Sequence, residues 1–172
     1  MVIPDDAVSD DLWDRYAGTV LTTGEGLTVA GPGAADLLPF VVPAHVLTAW
    51  NPGSVRQSAS ANAAANRALR QELLRRGLAP TRVVGAAPDG SWHEDSLLVS
   101  SLGRQAAVAL AARFGQLAIF EVTADELLVL ACPHGQERRR VARRAPAQPA
   151  VPGWGRAQPA VPGWGRAEHA GG

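Results

Sequence analysis

The sequence predicts an α+β domain: a single mixed or antiparallel sheet with two main helices on one face. Three observations carry this. Apolar residues make up 47% of the 172, enough for a packed core. Short β-branched runs alternate with two alanine- and leucine-rich stretches of helical length. Gly and Pro turn signals separate the runs.

The elements follow in order. Ser9 can cap a short helix through about Ala17, with Trp13 and Tyr16 on one side. TVLTT and LTVA flank Gly24-Glu25-Gly26 and read as a hairpin. HVLTAW (45–50) reads as a strand ending at the turn Asn51-Pro52-Gly53-Ser54. From Ser58 or Ser60 to Arg76 the chain is helical, closed by Gly77. RVVGAA (82–87) and SLLVSSL (96–102) are strands around the turn Pro88-Asp89-Gly90. Gly103 to Phe114 is a second helix, closed by Gly115. LAIFEV (117–122) and ELLVLAC (126–132) form a closing hairpin. The β-α-β-β-α-β order after residue 44 is the ferredoxin-like one, with hairpins added at the N- and C-terminal ends. Leu69, Leu73, Leu110 and Phe114 would seat the helices, each contributing roughly 1.5–3 kcal/mol on burial.

Charge divides the chain into three. Residues 1–36 carry seven acids and one arginine, a balance of −6, and read as an acidic helix and hairpin packed on the core. Residues 37–132 form the core, at +1. Residues 133–172 carry seven arginines and two acids, +5. This last segment holds AQPAVPGWGR twice in succession and has no helical or strand period, so it reads as a disordered tail. All 16 basic residues are arginine, which fits a GC-rich codon bias.

Several function classes are excluded. A net charge of zero argues against a globally basic nucleic-acid binder; only weak contact through the arginine-rich tail is left open. One cysteine, Cys132, rules out an internal disulfide framework. No run of about 18–20 apolar residues suggests a membrane span. The acidic N-terminus is not a secretory leader, so the expected location is cytoplasmic. No HExxH, Walker, GxGxxG or GxSxG pattern occurs, and neither a metal nor a cofactor is expected.

Some polar residues exceed what packing requires. Ser58, Asn62 and Asn66 fall at i, i+4 and i+8 on one helical stripe. Asparagine costs up to about 0.7 kcal/mol against alanine in a helix interior. The stripe either faces water or bonds the backbone of the 51–54 turn, with Ser58 as an N-cap, or it faces a ligand. In SWHEDS (91–96), strand alternation sends Trp92, Glu94 and Ser96 to one side, His93 and Asp95 to the other. An indole beside a carboxyl can raise its proton affinity and make Glu94 a catalytic acid or base. The alternative is a half-buried Trp beside an exposed Glu. Gln116 sits where a helix meets a strand, able to hold a ligand or satisfy the last helix carbonyls.

AWNPGS (49–54), the Asn stripe, DGSWHEDS (89–96) and RFGQLAIF (113–120) together resemble the bacterial family catalogued as domain of unknown function 3293. The likeness runs over roughly residues 12–131. It implies a compact domain and brings no activity, cofactor or catalytic residue.

The resulting expectation is a pocket lined by Asn51, Asn62, Asn66, Trp92, Ser96 and Gln116, with Glu94 catalytic, for a planar polar small molecule such as a nucleobase or nucleotide. The alternative is a non-enzymatic interaction or regulatory module working through its arginine-rich tail.

Overall fold

The computed structural model describes residues 8–145. Within them lie α1 (Asp10–Ala17), β1 (Val20–Thr23), β2 (Thr28–Pro32), β3 (Ala44–Leu47), α2 (Ala59–Arg75), β4 (Thr81–Ala86), β5 (His93–Ser100), α3 (Arg104–Arg113), β6 (Ala118–Val122), β7 (Glu126–Ala131), β8 (Glu137–Ala142) and β9 (Arg144–Ala145). The class is α+β.

Local chemistry sets the helix ends. Asp10 and Asp11 stand in the first turn of α1 and Arg15 in its last, each complementing the helix dipole. Ser58 caps α2 by accepting from the Ala61 amide at 3.2 Å.

The strands lie in the order β8-β7-β6-β3-β5-β4-β1-β2-β9. Every pairing is antiparallel except the parallel contact of β2 with β9. The β1–β2 hairpin is part of the same sheet, because β1 pairs with β4 from Val20 to Thr23. β8 and β9 follow one another across a single residue, Arg143, yet stand at opposite ends of the strand order. One stretch of chain therefore pairs with β7 by its first half and with β2 by its second. The sheet is nearly a barrel, which leaves little open edge.

This corrects the expected boundary at residue 132. Residues 137–142 and 144–145 are strand, not disordered tail. Arg139, Arg140 and Arg144 pair with acids of the folded domain. Arg139 reaches Asp14 at 2.6 Å and Asp10 at 2.9 Å, and Arg140 reaches Glu126 at 2.6 Å. Arg144 meets Asp36 at 2.7 Å. Arg138 lies 5.5 Å over the Trp13 ring. The acidic beginning and basic end of the described chain thus meet directly. The duplicated AQPAVPGWGR unit, from residue 147 on, lies outside the described residues.

Two apolar clusters occupy the two faces of the sheet. One joins Leu69 and Leu73 of α2 and Ala107, Val108, Leu110 and Ala111 of α3 to Leu47, Leu97, Val99, Ile119, Leu128 and Leu130, with Phe114 packed against it. The other gathers Leu21, Val29, Val46, Val83, Leu98, Val122 and Leu127 on the opposite, concave face. Strand alternation explains the division: Leu47, Leu97 and Val99 turn to the helices, Val46 and Leu98 away from them. Trp13 of α1 closes a third group with Val129 and Ala131. No helix among the described residues is long and apolar enough to cross a membrane.

Candidate functional site

The last residues of β3 and the turn after it build the site. Beyond Leu47 the ladder stops, and side chains take over its hydrogen bonds. The Asn66 carbonyl oxygen accepts from the Ala49 amide at 2.7 Å, and its amide donates to the Asp95 carbonyl at 2.7 Å. Thr48 donates to the same Asp95 carbonyl and accepts from the Trp50 amide at 3.0 Å. Gln116 donates to the Trp50 carbonyl at 3.0 Å. Asn66 of α2, Asp95 of β5 and Gln116 after α3 thus fix the path of Thr48–Trp50.

The turn is locked against the end of α3. The Gly53 amide donates to the Gly115 carbonyl at 2.8 Å. Gly115 has φ +74°, and a Cβ there would come within 2.9 Å of Pro52 Cβ. Glycine is required on both counts. The Asn-Pro-Gly turn and the Phe-Gly-Gln turn, far apart in sequence, are therefore one packed unit.

Asn51 stands at the centre. Its backbone is left-handed, φ 47° and ψ 60°, a conformation asparagine tolerates better than most residues. Asn62 secures it twice, accepting from the Asn51 amide and donating to its side-chain oxygen, both at 2.9 Å. The Gln57 amide donates to that same oxygen. The Asn51 side-chain nitrogen is left to donate to Glu94 Oε1 at 2.9 Å.

These groups line a cavity of about 210 Å³ on the concave side of the sheet. Trp50, Asn51, Trp92, Glu94, Ser96 and Gln116 all reach it, with Phe120 and Val46 as apolar floor. The alternation expected for residues 92–96 is thus realised, and Trp92, Glu94 and Ser96 share the cavity side. Asn62 and Asn66 do not line it. Asn62 is buried behind Asn51 at 2% exposure, and Asn66 faces a separate groove on the helix side of the sheet. Asn62 bonds Asn51 of the 51–54 turn, whereas Asn66 holds the Ala49 amide and the Asp95 carbonyl, just before that turn and on β5. The Gln116 side chain serves the Trp50 carbonyl, while its backbone amide donates to the Ala111 carbonyl in the last turn of α3 at 3.1 Å.

Burial raises the Glu94 carboxyl above its ordinary proton affinity, and the Asn51 hydrogen bond opposes this in part. Burial also raises the Tyr16 phenol; its hydrogen bond to Ser54 opposes the rise and the nearby Glu94 charge adds to it. Tyr16 and Ser54 are joined oxygen to oxygen at 2.7 Å.

Sequence reasoning missed the contribution of α1. Leu12, Arg15, Tyr16 and Thr19 line the cavity opposite Trp92. Leu12, Arg15 and Tyr16 fall at i, i+3 and i+4 on one face of α1, and that stripe was the available signal; Thr19 lies just beyond the helix. Arg15 brings an exposed guanidinium to the rim. The cavity therefore combines two indoles, a carboxyl whose proton affinity burial raises, a hydroxyl pair and a cation. Such a set can stack a flat ring and exchange a proton with its edge. Among the described residues, no three His, Cys, Asp or Glu side chains are grouped as a metal ion would need.

Residues 47–119 match the family model described as "Protein of unknown function (DUF3293)". The match is shorter than the likeness over 12–131 and runs from the end of β3 into β6. It takes in Trp50, Asn51, Trp92, Glu94, Ser96 and Gln116, while Arg15 and Tyr16 lie before it. No curated protein and no solved structure matches the chain.

Proposed function

We propose, from the premise that residues 47–119 are a DUF3293 domain, that the cavity binds a small planar polar molecule of nucleobase or nucleoside type. The observation that carries this is the meeting of Trp50, Trp92 and Glu94 in one hollow, with Asn51 holding the carboxyl. Indole walls favour flat rings, and a carboxyl whose proton affinity is raised can exchange a proton with a ring edge. Glu94 is the catalytic acid or base if the ligand is turned over. Arg15 at the rim favours ligands with an anionic or carbonyl-rich substituent.

The test is a thermal-shift screen of adenosine, guanosine, cytidine, uridine and their bases and monophosphates. Wild type, Glu94→Gln and Trp92→Ala are compared. A compound that stabilises wild type, and whose effect both substitutions remove, supports the reading. Stabilisation by none of these compounds, or equal stabilisation of all three proteins, contradicts it.

The reading as a non-enzymatic interaction or regulatory module working through the arginine-rich tail has less support from the described residues; Arg156 and Arg166 lie outside them. Arg139, Arg140, Arg143 and Arg144 are all engaged within the fold.

A further inference from the structure

The second hollow lies on the helix side of the sheet, between α2 and the β4–β5 pair. It measures about 380 Å³ and is lined by Ala63, Asn66, Arg67 and Arg70 of α2, Arg82 of β4 and Asp95 of β5, with Trp50 at its edge. Residues 63, 66, 67 and 70 form one face of α2 by their spacing. The adjacent face, with Leu69 and Leu73, is buried in the core.

Three guanidinium groups thus enter one hollow. Arg82 is paired with Asp95 at 2.8 Å, which orients it and leaves part of its donor fork unused. Arg67 and Arg70 make no hydrogen bond or ion pair among the described residues. Two like charges at i, i+3 cost a helix a few tenths of a kcal/mol. The other arginines of α2, Arg75 and Arg76, both pair with Glu72, so carboxylates are placed where this helix needs them. The hollow departs from that pattern. It gathers more positive charge than its single carboxylate balances.

We propose that this groove is a binding site for a small phosphorylated molecule, with Arg67, Arg70 and the free side of Arg82 holding the phosphate oxygens. Guanidinium forks match phosphate geometry in pairs. The charge is gathered in a pocket-sized hollow rather than along a stripe, which favours a compact phosphate over a nucleic-acid strand. Asp95 keeps Arg82 in place and repels an anion from its own side, so the phosphate sits toward α2. The site is a second hollow beside the concave cavity, and Trp50 and Ser96 are the residues that line both.

The experiment is isothermal titration of the full chain with inorganic pyrophosphate at low and high salt. The same titration is run on Arg67→Ala/Arg70→Ala, on Glu94→Gln and with a labelled single-stranded ten-nucleotide DNA. Alanine is the better helix former at both positions, so the double variant folds. The proposal expects pyrophosphate binding that weakens by ~10-fold or more in the double variant, weakens with salt and is unchanged in Glu94→Gln. Absence of pyrophosphate binding, or equal binding by the double variant, overturns it. Tighter binding of the DNA than of pyrophosphate, dependent on Arg67 and Arg70, also overturns it in favour of a strand. The unchanged Glu94→Gln result keeps this outcome separate from that of the concave cavity.

Discussion

Asn51 donates its side-chain amide to Glu94 while Asn62, from the far side of the sheet, holds Asn51 by two hydrogen bonds. An asparagine buried in a helix thus orients a carboxyl in a cavity that it does not touch.

Glu94→Gln retains an oxygen for Asn51 to bond and keeps the fold. The native carboxyl has its proton affinity raised by folding, so it contributes stability at pH below the ordinary carboxylate range. That contribution is lost as pH rises through its folded pKa. The amide does not titrate. Urea unfolding therefore shows no difference between the two proteins in acid, and a difference that grows in favour of Glu94→Gln toward neutral pH.

Asn62→Ala removes both anchors of Asn51 and leaves the Asn51 amide without its acceptor. A loss of about 1–3 kcal/mol is expected by urea unfolding. Asn66→Ala frees the Ala49 amide and one bond to Asp95, with a loss in the same range. The two differ in the cavity: only Asn62→Ala releases the Glu94 partner and so moves the Glu94 carboxyl resonance in its pH titration.

Arg143 is 1% exposed, and its guanidinium donates to the carbonyls of Ala124, Val29, Ala35 and Asp36 at 2.8, 3.0, 2.8 and 3.2 Å. It seals the seam where β8 gives way to β9. Arg143→Ala leaves those carbonyls without a donor, at a cost of at least ~3 kcal/mol. Arg143→Lys does not restore it, because one ammonium cannot reproduce the planar fork. Chemical denaturation of the three proteins checks both statements.

Glu121 is 4% exposed between His45, at 3.0 Å, and Arg104, whose Nε donates at 2.8 Å. The Arg104 hydrogen bond lowers the Glu121 pKa most; burial opposes this and His45 adds to it. A lowered folded pKa means stability present above the unfolded carboxylate pKa and lost as pH falls through the folded one. Arg104→Ala is expected to cost about 1–3 kcal/mol at neutral pH, at the lower end because Arg104 is partly exposed. The cost shrinks in acid as Glu121 takes up a proton in both proteins. Unfolding free energies at neutral and acid pH decide it.

The parts of this site written in local periodicity could be read from the sequence. Alternation alone put Trp92, Glu94 and Ser96 on one side, and turn chemistry marked Asn51 and Gly115. The Asn62–Asn66 stripe was visible as a helical face, but its direction depends on how α2 docks, and Asn62 bonds the turn from behind. Arg15 and Tyr16 were missed because α1 meets Trp92 and Glu94 only through tertiary packing. The strand at 137–142 was hidden by composition: an arginine-rich run looks solvated when its partners, Asp10, Asp14 and Glu126, are remote or on a neighbouring strand. The same distance hid the nearly closed sheet, since β9 pairs with β2 across more than a hundred residues.

The most direct measurement is a ¹⁵N NMR titration of the tryptophan indole N–H resonances with the nucleoside giving the largest thermal shift. Trp13, buried at 2% exposure and not a lining residue of the cavity, serves as internal reference. The account predicts saturable shifts of the Trp50 and Trp92 signals, an unmoved Trp13, and loss of the shifts in Glu94→Gln. Trp50 and Trp92 signals that stay in place at saturating nucleoside would contradict it.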